Sequence, residues 1–294
     1  MILTDKIDFK RVARLLTVVE NDLPGAAAIL KGLRFEREVP VVGVTGPPGA
    51  GKSTLVNALI AELLQHGKKI AVLAVDPTSP FNLGSLLGDR IRMSAHFNHP
   101  DIFIRSIATR GAVGGLSVKT IEMADVLRAS GFDYVFVETV GVGQSEIDIA
   151  GLADVCIVVL VPEAGDEIQH IKSGLMEIAD AFVINKADRE GADAFAANVK
   201  KMVSQKHADI PVFKTSALNN TGVADVAAYL LAGKTGPNDK KVFLLSEKVY
   251  RLIQQKRMAT VDKGKLQQTI AGALDKEGFN IYSFADTYND ATSS

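Results

Sequence analysis

Val39-Pro-Val-Val-Gly-Val-Thr-Gly46-Pro-Pro-Gly-Ala-Gly-Lys-Ser-Thr54 joins a short apolar, β-branched run to a segment with helical spacing, Thr54 to His66. The pattern G-x-x-x-x-G-K-S/T, placed between a strand and a helix, predicts a loop that wraps a phosphate chain. Its backbone N–H groups must turn inward through conformations that a Cβ obstructs, and Gly49 and Gly51 permit this. Gly46, Gly49, Ala50, Gly51, Lys52, Ser53 and Thr54 are therefore the candidate phosphate-binding residues. Lys52 is expected to bridge the β- and γ-phosphates and Ser53 to ligate Mg²⁺, while the N-terminus of the following helix adds positive potential.

Outward from this loop, apolar runs recur at Ile70 to Val75, Tyr134 to Glu138, Val155 to Val161, Ala181 to Asn185 and Val212 to Lys214. Each reads as a strand buried on both faces. Helical patterns lie between them, at Ser117 to Ala129, Ile168 to Ile178 and Val223 to Leu231. Such alternation predicts a doubly wound, mainly parallel α/β sandwich. Amphipathic patterns at Phe9 to Val19 and Gly25 to Leu33 precede it, and further ones at Leu244 to Arg257 and Leu266 to Lys276 follow the turn-forming Lys234 to Asp239. The expected organisation is an N-terminal helical extension over 1–38, a phosphate-loop domain over 39–233 and a C-terminal helical extension over 234–294.

The composition narrows the class. The 294 residues are 47% hydrophobic and 23% charged, ordinary for a globular chain. With 33 basic against 34 acidic residues, the net charge of −1 provides no field to gather nucleic acid or anionic membrane. Cys156 sits in an apolar run and reads as a buried strand residue. There is no apolar segment of signal-peptide or membrane-span length, so a cytoplasmic location is expected.

Two acids end strands, where ligands of such sheets sit: Asp76 after Ile70 to Val75, and Glu138 after Tyr134 to Val137. Mg²⁺ prefers oxygen ligands and retained water, so Ser53, Asp76 and Glu138 are the candidate metal residues. Glu138-Thr-Val-Gly141 also has the acid-x-x-glycine spacing that sets an acid on the metal and a glycine N–H on the γ-phosphate. Asn185-Lys186-Ala-Asp188 at a strand end is a guanine-specificity pattern. The Asp188 carboxylate would accept from guanine N1–H and the exocyclic amine, whereas adenine would present an acceptor. Thr215-Ser216-Ala217-Leu218 follows another strand, as expected for a loop whose backbone N–H meets the guanine oxygen. For hydrolysis, Lys52 and Mg²⁺ would neutralise developing charge, and Gly141 would hold the γ-phosphate. Asp89 and Gln144 both stand as candidates for orienting water.

Together with Val75-Asp-Pro-Thr-Ser-Pro80, Leu87-Gly-Asp-Arg-Ile-Arg-Met93, Glu138-Thr-Val-Gly-Val-Gly-Gln-Ser145 and Gly165-Asp-Glu-Ile-Gln169, the phosphate loop resembles that of the MeaB/ArgK-type GTPases. That family includes the human methylmalonic aciduria type A protein. The resemblance implies a homodimeric GTPase that chaperones an adenosylcobalamin-dependent acyl-CoA mutase, usually methylmalonyl-CoA mutase, gating cofactor delivery and removal. It also implies that Asp76, Asp89 and Glu138 are magnesium-site and switch residues, and that Pro162 to Glu177 is a further switch facing the mutase. Three other readings share the phosphate loop. A nickel metallochaperone GTPase would want metal ligands, yet His66, His96, His99, His170 and His207 form no dense tract. A small-molecule or protein kinase would want an acceptor pocket, which no sequence feature identifies. A signal-recognition-type GTPase would want a methionine-rich or basic appendage, and the six methionines are scattered.

Overall fold

Apolar runs with hydrophobic residues at both odd and even positions must bury both faces, and here they form the interior of a parallel sheet. The computed structural model describes residues 7–76, 96, 99–108, 118–139, 149–162, 175–205, 209–233, 240–258, 260–274 and 279–288. Its strands are β1 (Val41–Thr45), β2 (Ile70–Asp76), β3 (Ile102–Ala108), β4 (Tyr134–Glu138), β5 (Val155–Leu160), β6 (Ala181–Ile184) and β7 (Val212–Lys214). They pair in the order β3-β2-β4-β1-β5-β6-β7, all parallel.

Alternate residues of each strand feed two separate cores, as the two-residue period of a strand requires. Val135 and Val137 of β4 and Cys156, Val158 and Leu160 of β5 pack on one face. Phe136 of β4 and Val155, Ile157 and Val159 of β5 pack on the other. The first face is covered by α1 (Phe9–Glu20), α4 (Val118–Arg128) and α5 (Ala192–Gln205), the second by α3 (Lys52–Gln65) and α6 (Val223–Ala232). A short helix, α2 (Ala26–Gly32), packs against both α1 and α4, which also contact each other directly. Asp8 caps α1 by accepting from the Arg11 N–H, and Val12, Leu16 and Val19 then recur on one buried face. In α3, Leu55, Leu59, Ile60 and Leu63 are wholly buried, each contributing about 1.5–3 kcal/mol of apolar transfer.

The structure corrects the sequence reading at both sheet edges. Ile102–Ala108, not expected as a strand, pairs with β2 as an edge. Its polar centre is tolerated because Arg105 donates to Glu20 of α1 at 2.6 Å. The opposite edge, β7, is expected to be buried on both faces, but Val212 and Phe213 are half-buried and Lys214 is exposed, β7 pairing with β6 alone among the described strands. Of the expected helix Ile168 to Ile178, residues 168–174 lie outside the described residues and Met176–Ile178 is helical.

Beyond the sheet lie α7 (Lys240–Met258), α8 (Lys263–Leu274) and α9 (Ile281–Thr287). The chain divides into two compact units, Met1–Leu245 and Ser246–Ser294. No helix among the described residues is long and apolar enough to cross a membrane.

Candidate functional site

Connections from β1 and from β5 run to opposite halves of the sheet, which leaves a crevice at their C-terminal ends. The loop 46–51 occupies that position and runs directly into α3 at Lys52. Lys52 is 6% exposed, and its ammonium donates to the carbonyls of Gly46 at 2.8 Å and Pro47 at 2.9 Å. The positive charge is thus folded into the concavity of its own loop. A cleft of about 350 Å³ opens there, lined among others by Gly49, Gly51, Ser53, Thr54, Glu138 and Lys186.

Glu138 comes to this loop through sheet register, since it pairs opposite Val44 at the end of β4. The Ser53 hydroxyl donates to Glu138 Oε1 at 2.5 Å, with Ser53 9% and Glu138 6% exposed. A carboxylate taken this far from water needs hydrogen-bond donors or a cation. A hydroxyl and a carboxylate in contact, in a cleft that also holds a lysine ammonium, suit a small hard cation that shares its shell with phosphate oxygens and water. No group of three or more His, Cys, Asp or Glu side chains gathers among the described residues. The hydroxyl and carboxylate of Ser53 and Glu138 fit Mg²⁺ as part of its oxygen shell. Thr139, which the sequence reading left without a role, anchors this strand end: its N–H donates to Val44 O at 3.1 Å and its hydroxyl to Thr45 Oγ1 at 3.1 Å. Asp76 is the last residue of β2, and its side chain lies outside the described residues, as do Asp89, Gly141 and Gln144 entirely.

The base motif follows β6. Asn185 is 3% exposed and its carboxamide makes three hydrogen bonds. Nδ2 donates to Ala50 O at 2.9 Å, and Oδ1 accepts from Thr215 Oγ1 and from the Ala217 N–H, each at 3.1 Å. A Cβ at Gly51, where φ is +84°, would stand 2.4 Å from Asn185 Nδ2, so only glycine admits this approach. Asn185 is thus a bracket between the two motifs. Lys186 adopts a left-handed φ of +56°, and the Ala187 N–H donates to Thr215 O at 2.9 Å.

Asp188 projects at the surface, with Oδ1 accepting from the Ser216 hydroxyl at 2.6 Å. That hydrogen bond, then one from its own backbone N–H, and the charges of Arg189 and Lys186 hold its carboxyl below the ordinary value. Of the loop Ser216-Ala217-Leu218, the first two N–H groups are engaged within the chain, with Thr221 O and Asn185 Oδ1, and Leu218 stands 87% exposed at the tip. The structure therefore brings together Lys52, Ser53 and Glu138 on one side and Asn185, Asp188, Ser216 and Ala217 on the other, joined through Ala50. Asn219, which donates to Ser216 Oγ at 3.0 Å, was not singled out in the sequence, whereas Thr215 was noted only as the first residue of its loop. The signal for Asn219 was only adjacency to the Ser216-Ala217-Leu218 loop.

A more spacious cleft, about 820 Å³, lies between α1, α2 and the C-terminal end of α4, at the strand ends away from the phosphate loop. Two of its four lining arginines face acids: Arg37 pairs with Asp133 at 2.7 Å, and Arg128 lies near Asp125 and Asp154 at 3.7 and 3.8 Å. It contains none of the motif residues.

Comparison with known proteins gives a consistent picture. Residues 12–255 match the family profile described as methylmalonyl-CoA mutase-associated GTPase MeaB. A Pyrococcus abyssi protein assigned to the GTPases is 51% identical over 229 residues, covering 75% of this chain and 71% of that protein. The match spans 60% and 56% of the length of two further relatives. The fused isobutyryl-CoA mutase of Geobacillus kaustophilus is 37% identical over 228 residues, covering 71% of this chain but 21% of the fusion. Among solved structures, a LAO/AO transport system kinase superposes with a TM-score of 0.63 at 27% identity, covering 93% of this chain and 84% of that one.

Proposed function

Because this chain belongs to the methylmalonyl-CoA mutase-associated MeaB family of GTPases, we propose that it binds GTP with Mg²⁺, hydrolyses it, and uses the cycle to chaperone an adenosylcobalamin-dependent acyl-CoA mutase. Gating of cofactor loading and protection or reactivation of the mutase are the tasks assigned to the cycle, with methylmalonyl-CoA mutase as first partner. The Geobacillus relative, in which a homologous segment is part of an isobutyryl-CoA mutase chain, supports an acyl-CoA mutase as the class of partner.

The observation that carries the guanine reading is the Asn185 bracket, which sets the Asp188 loop beside the phosphate loop so that one nucleotide can span both. Asp188, held ionised by Ser216, accepts from guanine N1–H and the exocyclic amine. Gly46, Gly49, Ala50, Gly51 and Thr54 direct backbone N–H groups at the phosphates, and Lys52 exchanges its loop carbonyls for phosphate oxygens. Ser53 and Glu138, with Asp76, hold Mg²⁺, which when bound neutralises charge developing on the β- and γ-oxygens. Asp89, Gly141 and Gln144 supply the γ-phosphate and water contacts. Lys186, which lines the phosphate cleft, and Leu218, exposed at the tip of its loop, complete the nucleotide site.

The sheet domain over 39–233 carries this chemistry, with 1–38 and 234–294 as helical extensions. Homodimerisation is assigned to the latter. On α7, Val249 and Ile253 stand four residues apart and are 50% and 46% exposed, an apolar pair that a second copy would cover. A cytoplasmic setting fits a partner enzyme of this kind.

A GTP-dependent kinase is the second reading, favoured by the likeness to the transport system kinase. A nickel metallochaperone fits less well, because the described residues contain no clustered ligands. Hydrolysis of GTP, with ATP as control, is to be measured for the purified protein alone and with the mutase. GTP-specific turnover accelerated by the mutase supports the chaperone reading. Turnover indifferent to the mutase rejects it, and labelled phosphate on an acceptor establishes the kinase instead.

A further inference from the structure

Ser216 is 6% exposed, and its hydroxyl lies between two groups of opposite hydrogen-bonding character. Asp188 Oδ1 is 2.6 Å away and Asn219 Nδ2 is 3.0 Å away. A hydroxyl has one proton to give and lone pairs to accept with, a carboxylate only accepts, and an amide NH₂ only donates. The direction of the chain is therefore forced, from Asn219 to Ser216 to Asp188. Were the Asn219 amide reversed, Ser216 would face two acceptors with a single proton.

We propose that Asn219 is a positioning residue for guanine discrimination, orienting the Ser216 hydroxyl so that its proton is committed to Asp188. This rests on the reading of Asp188 as the acceptor for guanine. With one oxygen fixed by Ser216, the carboxylate is held in plane and its other lone pairs are left for the two guanine donors. The loop holding Asn219 is rigid enough for the task. Ser216 and Thr221 exchange N–H···O bonds at 3.0 and 3.1 Å, and the Asn219 N–H donates to Ser216 O at 3.0 Å across the turn Ala217–Asn219. The Asn219 side chain is exposed while its partner is buried, so it can be replaced without opening the core.

Replacing the amide by a carboxylate of the same shape reverses its role, because an acid at 219 competes for the Ser216 proton and repels Asp188. The test compares GTP and XTP affinity, and KM against kcat, in the full-length parent, Asn219→Ala, Asn219→Asp, Ser216→Ala and the Ser216→Ala/Asn219→Ala pair, with thermal unfolding as a folding check. Asn219→Ala is expected to weaken GTP about 3-fold and Asn219→Asp about 10-fold or more, since a hydrogen bond to a charged group is at stake. The loss falls on KM, and Asn219→Ala adds nothing once Ser216 is alanine. GTP affinity of Asn219→Asp equal to the parent, or losses at 216 and 219 that simply add, overturns the proposal while leaving GTP binding intact. A parent protein without GTP affinity overturns the guanine reading and this inference with it, and is seen before any variant is made.

Discussion

The side-chain amide of Asn185 donates to the carbonyl of Ala50 at 2.9 Å, across 135 positions of sequence. One buried carboxamide thereby ties the end of β6 to the loop after β1, and its oxygen ties both to Thr215 and Ala217.

Removing that bracket costs more than one contact. Asn185→Ala leaves the Ala50 carbonyl, the Thr215 hydroxyl and the Ala217 N–H to find other partners in a buried setting, a loss of about 2–3 kcal/mol. Calorimetry should show a melting temperature several degrees lower together with weakened GTP binding. A normal melting temperature would mean the bracket is dispensable.

Lys52→Ala removes the cation from the phosphate cleft. GTP turnover is expected to fall by about 100-fold or more, the scale for loss of a charge aimed at developing negative charge. Single-turnover hydrolysis of labelled GTP reads this directly, and parental rates in the variant exclude the phosphate assignment.

Glu138→Gln keeps the shape of the Ser53 partner and deletes its charge. The Mg²⁺ concentration for half-maximal hydrolysis should rise about 10-fold or more, in line with losing one charged oxygen from a site with few protein ligands. An unchanged Mg²⁺ titration places the metal elsewhere.

Asp188→Asn replaces one of the two acceptor oxygens at the base edge with a donor and keeps the other. Xanthine carries a carbonyl where guanine carries an amine, so preference is expected to swing from GTP towards XTP by about 1,000-fold or more, the scale for a site built to pair a polar edge. Competition binding of the two nucleotides measures it, and retained GTP preference contradicts the assignment.

The depressed carboxyl of Asp188 has a definite sign. Its folded-state value lies below the unfolded one, first because Ser216 donates to it, so its contribution to stability is present above the ordinary carboxylate range and is lost as pH falls through the lowered value. Ser216→Ala removes the leading cause. The acid limb of GTP binding, followed by titration calorimetry, should move to higher pH in that variant, and an unmoved limb would disconnect Ser216 from Asp188.

The primary structure by itself determined the phosphate loop, the guanine pattern and most of the strands, because each is written in adjacent residues: glycine spacing, a Lys-Ser pair, runs of β-branched side chains. It also placed Ser53 and Glu138 as partners in one task by motif spacing. Only the tertiary structure decided that these two touch at 2.5 Å, since that contact depends on β4 lying beside β1, an order of strands that local periodicity does not encode. The same holds for β3, whose Arg105 reads as a poor strand residue until Glu20 of α1 is seen to neutralise it. It holds for Asn219 as well: adjacency to the Ser216-Ala217-Leu218 loop is its only mark in the sequence, and its part emerges only when the 216–221 loop closes and sets its amide against a buried hydroxyl.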